Sequence, residues 1–89
     1  MAWRIELDPA TEKDFKRIGP EAAKRIIKFL REHLAVVDDP RSAGEALHGP
    51  ELGRFWKYRV GDYRIIASIL DQTITIRVVR IGHRREIYR

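Results

Sequence analysis

The residues able to do chemistry gather in the second half of the chain: Lys57, Arg59, Arg64 and Arg77, followed by Gly82-His83-Arg84-Arg85-Glu86-Ile87-Tyr88-Arg89. Lys57 and Arg59 are two residues apart, the repeat that puts side chains on one face of a strand. On the next strand Arg64, Ile66 and Ser68 read as outward, and on the third Thr73, Thr75 and Arg77. That third sorting is ambiguous, because the apolar Val79 and Ile81 share the parity of Arg77. Sorted this way, the four cations converge on one sheet face, where they repel each other unless an anion is bound. That is a phosphate site in outline; the plainer alternative is a basic face turned to water. The tail adds Arg84 and Arg85, whose guanidinium forks suit phosphate oxygens, with His83 and Tyr88 able to move protons or stack on a base. His83 is the chemically easier acid or base of the set. Read alone, the tail is equally a frayed basic terminus.

The charge distribution points the same way. Residues 1–53 carry nine Lys and Arg against ten Asp and Glu, whereas residues 54–89 carry nine against three, so the net +5 resides entirely in the C-terminal two-fifths. A basic region that concentrated suits a polyanionic partner, since neutralising phosphates releases counterions. The 89 residues include no cysteine, so disulfides, thiolate nucleophiles and cysteine metal sites are excluded. His, Asp and Glu in the basic region are too scattered for a zinc or two-metal nuclease, and phosphate-loop and dinucleotide motifs are absent. No metal and no cofactor is expected. The first residues show no signal segment and no apolar run is long enough to span a bilayer, so a cytoplasmic protein without membrane contact is expected.

The elements that must hold these residues follow from periodicity. Trp3 to Leu7 alternates as a short strand. Asp8-Pro9 opens a helix reaching about Ile18, and Gly19-Pro20 closes it and starts a second. The second helix carries Ala23, Ile26, Ile27, Leu30 and Leu34 as an apolar stripe, with Lys24, Lys28 and Arg31 on the solvated side. Asp38-Asp39-Pro40 ends it, and a glycine-rich loop leads to strands at Phe55–Val60, Tyr63–Leu70 and Thr73–Ile81. Gly61-Asp62 and Asp71-Gln72 separate these with the spacing of tight hairpins. The predicted fold is α+β and spans residues 1–89 as one domain. Its two N-terminal helices pack on one face of a four-stranded antiparallel sheet in the order β-α-α-β-β-β, and the other face stays open.

With these residues in view, the chain resembles the RelE/ParE toxin superfamily, and its RelE-type ribonucleases most of all. The resemblance rests on Trp56-Lys57-Tyr58-Arg59-Val60-Gly61-Asp62-Tyr63-Arg64-Ile65-Ile66 and on Val79-Arg80-Ile81-Gly82-His83-Arg84-Arg85-Glu86-Ile87-Tyr88-Arg89. It implies a RelE-like microbial RNase fold acting as the toxin of a type II toxin–antitoxin system. Such a toxin is a metal-independent endoribonuclease that cleaves mRNA, commonly in the ribosomal A site, by 2′-hydroxyl attack on the scissile phosphate. Carried over, Lys57, Arg59, Arg64, Arg84 and Tyr88 take the catalytic roles. Lys57 and Arg59 stabilise the transition-state charge and Arg64 clamps the phosphate. Arg84 assists the leaving 5′-oxygen, and Tyr88 stacks or transfers a proton. His83, Arg77 and Arg85 are expected to contact substrate. The implied partners are a RelB-like antitoxin in a hetero-oligomer, mRNA and the ribosome. Because the sequence stops one residue after Tyr88, an antitoxin is expected to wrap the helices and the open face rather than displace a C-terminal helix. Two rival readings share the fold: a ParE-like, non-enzymatic gyrase inhibitor, and a nucleic-acid-binding or degenerate toxin module.

Overall fold

The computed structural model describes residues 2–50 and 52–86. The chain runs β1 (Arg4–Leu7), α1 (Thr11–Ile18), α2 (Pro20–Phe29), β2 (Glu45–Ala46), β3 (Phe55–Val60), β4 (Tyr63–Leu70) and β5 (Thr75–His83). The strands form one sheet in the order β1-β5-β4-β3-β2. The sheet is therefore five-stranded rather than four-stranded and mixed rather than purely antiparallel. The two-residue β2 adds an edge beside β3, reached from β1 through the helical hairpin, and the meander β3-β4-β5 then brings β5 alongside β1, parallel to it. The expected placement of the two helices on one face holds.

Local sequence explains the helical hairpin. Asp8 accepts the Ala10 N–H on Oδ1 (2.9 Å) while Thr11 Oγ1 donates to Asp8 O (2.7 Å), which starts α1 at Thr11 rather than at Pro9. Gly19, at φ 90°, makes the corner and Pro20 opens α2. The last turn, Leu30–Leu34, widens so that the Ala35 N–H reaches Leu30 O (2.8 Å). The buried row is Ala22, Ile26, Leu30 and Leu34, and Ile27, expected in the stripe, is 40% exposed. A row at i, i+4 drifts around the helix, and it leaves Ile27 on the outer side.

Ile26, Leu30 and Leu34 pack on Tyr58, Ile65, Ala67, Ile76, Val78 and Ile81 to form the core. Tyr58 is fully buried, and its hydroxyl donates to Pro40 O at 2.8 Å. Burial pushes its phenol up to about 12. Gly61 (φ 59°) makes the expected two-residue turn between β3 and β4. The β4–β5 connection is longer than Asp71-Gln72 predicts: a 3-10 turn spans Asp71–Thr73, Ile74 is left-handed at φ 50°, and β5 begins at Thr75.

The alternation of β5 breaks in the middle. Its register with β4 shifts between Ile66 and Ala67, so that Ile66 faces Arg80 while Ala67 faces Val78, and Val79 is the extra residue of a bulge. Val78 and Ile81 both turn inward as a result, which resolves the conflicting parity of Arg77, Val79 and Ile81.

Candidate functional site

Directly opposed residues of a sheet share a face, so register sorts the cations. Arg59 faces Arg64 across β3 and β4, and Arg64 faces Gly82 across β4 and β5. Lys57 sits two residues from Arg59. Ile66, on the same face, is buried yet stands apart from the main core, between Lys57 on β3 and Arg80 on β5. The Arg84 N–H donates to Asp62 O at 2.8 Å and so prolongs the β4–β5 ladder. Two residues beyond Gly82, Arg84 returns to the face of Arg64. The face away from the helices therefore gathers Lys57, Arg59, Arg64 and Arg84.

These cations differ in how they are held. Arg64 is buried (7% exposed), and its Nη1 donates to Gly61 O at 3.0 Å and to Tyr63 O at 2.9 Å. Among the described residues its Nη2 and Nε have no hydrogen-bond partner and no carboxylate pairs with it. A buried guanidinium bonded only to carbonyls carries a desolvation cost that a bound anion would offset. Arg59 is exposed and makes no ion pair among the described residues. Its place opposite Arg64 puts two like charges about 5 Å apart at Cβ, an arrangement that costs stability. Lys57 Nζ lies 3.4 Å from Glu45 Oε2. Arg84 Nε lies 3.9 Å from Asp62 Oδ1 and its side chain is half exposed.

Glu45 was not singled out from sequence, because a two-residue strand has no alternation to read. Structure brings it opposite Lys57, into a shallow depression of about 180 Å³ lined with Ser42, Gly44, Lys57 and Arg59. Three features pin its loop. Tyr58 holds Pro40, and Arg41 forks onto Asp71 with Nη1–Oδ1 3.1 Å and Nη2–Oδ2 2.5 Å. Gly44 lies flat against β3, where a Cβ would come within 2.7 Å of Lys57 O and the Tyr58 ring. The Arg41 guanidinium holds the Asp71 carboxyl below the usual carboxylate range.

Other expected members lie elsewhere. Arg77 shares the parity of the basic face, but it stands opposite Ser68, four residues along β4 from Arg64. It is tied to Glu6 and to Asp8 Oδ2 (2.7 Å). The Ala10 N–H, and after it Arg77, hold the Asp8 carboxyl below its ordinary value. His83 faces Tyr63, with their rings edge-to-face at 5.7 Å, on the helix side of the sheet rather than beside Arg64. The bulge at Val79 is the reason: it reverses the parity of every later residue in β5. Arg85 is exposed, and its N–H donates to His83 Nδ1 at 3.2 Å. Tyr88 lies outside the described residues. Among the described residues no group of three or more His, Cys, Asp or Glu could hold a metal, and no helix is long and apolar enough to cross a membrane.

A mixed sheet with both helices on one face is shared with solved RelE-type toxin structures. The toxin–antitoxin complex RelBE2 of Mycobacterium tuberculosis superposes with a TM-score of 0.84 at 22% identity, covering 97% of this chain and 95% of that one. The archaeal RelE–RelB complex of Pyrococcus horikoshii gives 0.73 at 23%, covering 97% and 99%. In sequence the chain is 26% identical over 89 residues to Toxin RelG of M. tuberculosis, covering 100% of this chain and 99% of that protein. It is also 26% identical over 91 residues to the mRNA interferase toxin RelE of Escherichia coli, covering 99% and 92%. From residue 5 to residue 88 it matches the family described as ParE toxin of type II toxin–antitoxin system, parDE, and it belongs to that family.

Proposed function

We propose that this toxin is an endoribonuclease that cleaves mRNA, with the open sheet face as its active surface. The observation that carries the reading is the direct opposition of Arg59 and Arg64, with Lys57 and Arg84 on the same face. In the proposed reaction the substrate's own 2′-oxygen attacks the phosphorus as it loses its proton. The bond to the 5′-oxygen breaks, and that oxygen leaves with a proton, giving a 2′,3′-cyclic phosphate and a 5′-hydroxyl end. Negative charge builds on the phosphate oxygens, and fixed cations that need no rearrangement lower that barrier. Arg64 clamps one oxygen through Nη2 and Nε, Lys57 and Arg59 neutralise the others, and Arg84 stands toward the leaving oxygen. An internal nucleophile needs chiefly in-line placement, which clamping supplies. Glu45, lining the same depression as Lys57 and Arg59, offers a carboxylate to take the 2′ proton. Tyr88 remains the proposed stacking or proton-transfer group contributed by the tail.

The proposal extends to partners. Two of the similar structures are toxin–antitoxin complexes, RelBE2 and the archaeal RelE–RelB, and a RelB-like antitoxin covering the basic face in a hetero-oligomer is the proposed silencer. The proposed site of action is the ribosomal A site in the cytoplasm. Purified toxin incubated with translating ribosomes should yield cut mRNA with 2′,3′-cyclic phosphate ends, unchanged by EDTA and blocked by a 2′-deoxy substitution at the scissile position. Intact mRNA together with inhibited gyrase supercoiling would replace this reading with the ParE-like one.

A further inference from the structure

Beyond Val78, which accepts the Asp8 N–H at 2.8 Å, β5 has no strand on its β1 side among the described residues. An uncovered strand edge leaves a row of unpaired backbone groups, and α1 satisfies them here with side chains. Asp14, 3% exposed, accepts the Ile81 N–H on Oδ2 at 2.9 Å, and Arg17 Nη2 donates to Ile81 O at 3.1 Å. Arg17 Nη2 also lies 2.9 Å from Asp14 Oδ1, so this guanidinium is fixed from one side by a buried carboxylate and a strand carbonyl. Its Nε lies 3.3 Å from Glu86 Oε2.

Glu86 ends a tight turn that contains Arg84. Its N–H donates to His83 O at 2.8 Å, and the Arg85 N–H donates to His83 Nδ1. Those bonds shape the turn internally but do not orient it. Among the described residues, past His83, two attachments tie the turn to the rest of the molecule. One is Arg84 to Asp62, through the backbone bond and the long side-chain pair, and the other is Glu86 to Arg17. With one attachment the turn can swing about β5; with two it cannot.

We infer that Arg17 is a positioning residue for Arg84: through Glu86 it fixes the turn that aims Arg84 at the phosphate, while Asp14 and the β5 edge fix Arg17. The inference rests on the ribonuclease reading above. The Arg17–Glu86 pair is half exposed, and such pairs add little to stability, whereas in-line chemistry is sensitive to displacements of about 1 Å. The role is therefore kinetic rather than structural.

The test is Glu86→Gln, a surface substitution that leaves α1 untouched, assayed as purified toxin on translated mRNA beside wild type and Arg17→Gln. The expected result is a kcat lowered about tenfold with KM within twofold and an unchanged melting temperature. The double variant should be no slower than the slower single one, because both remove the same tether. Simple electrostatics gives the opposite sign, since deleting a negative charge beside Arg84 and Arg85 would tighten RNA binding and lower KM. Wild-type kcat in Glu86→Gln, additive losses in the double variant, or a loss confined to KM or melting temperature would overturn the inference while leaving the ribonuclease reading standing. If wild type itself leaves mRNA intact, both fall together.

Discussion

Replacing Arg64 by Lys is the most discriminating change at the basic face, because it keeps the charge and removes the fork. Arg64 divides its guanidinium between two tasks. Nη1 holds the β3–β4 turn through Gly61 O (3.0 Å) and Tyr63 O (2.9 Å), and Nη2 and Nε are proposed to hold the phosphate. A lysine has a single nitrogen and cannot do both. Losing the turn bonds costs about 0.5–1.5 kcal/mol each, or about 1–3 kcal/mol in all, a fall in melting temperature of roughly 4–24 °C for a domain this small. Losing the fork at the transition state costs about 10²–10³ in kcat, the effect of deleting one preorganised donor. Gly82 presents no side chain opposite Arg64, so no residue of β5 can substitute for it. Cleavage rates on translated mRNA, taken well below the lowered melting temperature, separate the two effects, and Arg64→Ala gives the floor for both. Wild-type kcat in Arg64→Lys would show that charge alone suffices there and would refute the clamp.

Three further outcomes follow from other parts of the structure. Glu45→Gln should lower kcat by about 10²-fold while leaving RNA binding equal or tighter; an unchanged single-turnover rate would remove Glu45 from proton transfer. Arg77→Gln should leave cleavage within twofold, because Arg77 is committed to Glu6 and Asp8, and a large loss of activity would return it to the site. Burial raises the Tyr58 phenol from 10.0 to about 12, so between these values the unfolded chain sheds a proton that the folded chain keeps, and stability falls as pH rises. The slope is about 1.4 kcal/mol per pH unit. Urea unfolding at pH 9 to 12 should show it in wild type and lose it in Tyr58→Phe, which also loses about 1 kcal/mol at neutral pH with the bond to Pro40; identical alkaline slopes would contradict the assignment.

How much of this was legible beforehand depended on whether the signal was local. Period-two alternation in Phe55–Val60 and Tyr63–Leu70, with Gly61-Asp62 between, placed Lys57, Arg59 and Arg64 on one face because that hairpin has a two-residue turn and an uninterrupted register. Alternation failed in β5 because the bulge at Val79 is a property of two strands together, and the failure carried His83 to the Tyr63 side. Arg77 was placed on the correct parity, yet its neutralisation was invisible. Glu6 and Asp8 lie about seventy residues away, and only the parallel pairing of β1 with β5 brings them alongside. Glu45 escaped notice for the same kind of reason: its partner Lys57 is reached through a loop held by Tyr58, Arg41 and Gly44, none of which alternation reveals.

The net charge of this chain is thus a poor guide to where its positive potential lies. Arginines near the sheet margins are consumed by architecture: Arg77 by Glu6 and Asp8, Arg41 by Asp71 and Asp39, Arg17 by Asp14 and Glu86. Each of these ties segments distant in sequence and leaves little field to attract a ligand, since paired charges cancel within a Debye length. Arg59 and Arg64 are different in kind. They oppose each other across a rigid hairpin, and no described carboxylate relieves the repulsion. A sheet that tolerates such a pair gives up stability in the free state. The loss is recovered when something anionic sits between the two guanidinium groups, be it a phosphodiester or an acidic segment of a silencing partner. The same repulsion would make this face an attractive site for an antitoxin to cover, so under the proposed function catalysis and inhibition would draw on one electrostatic source.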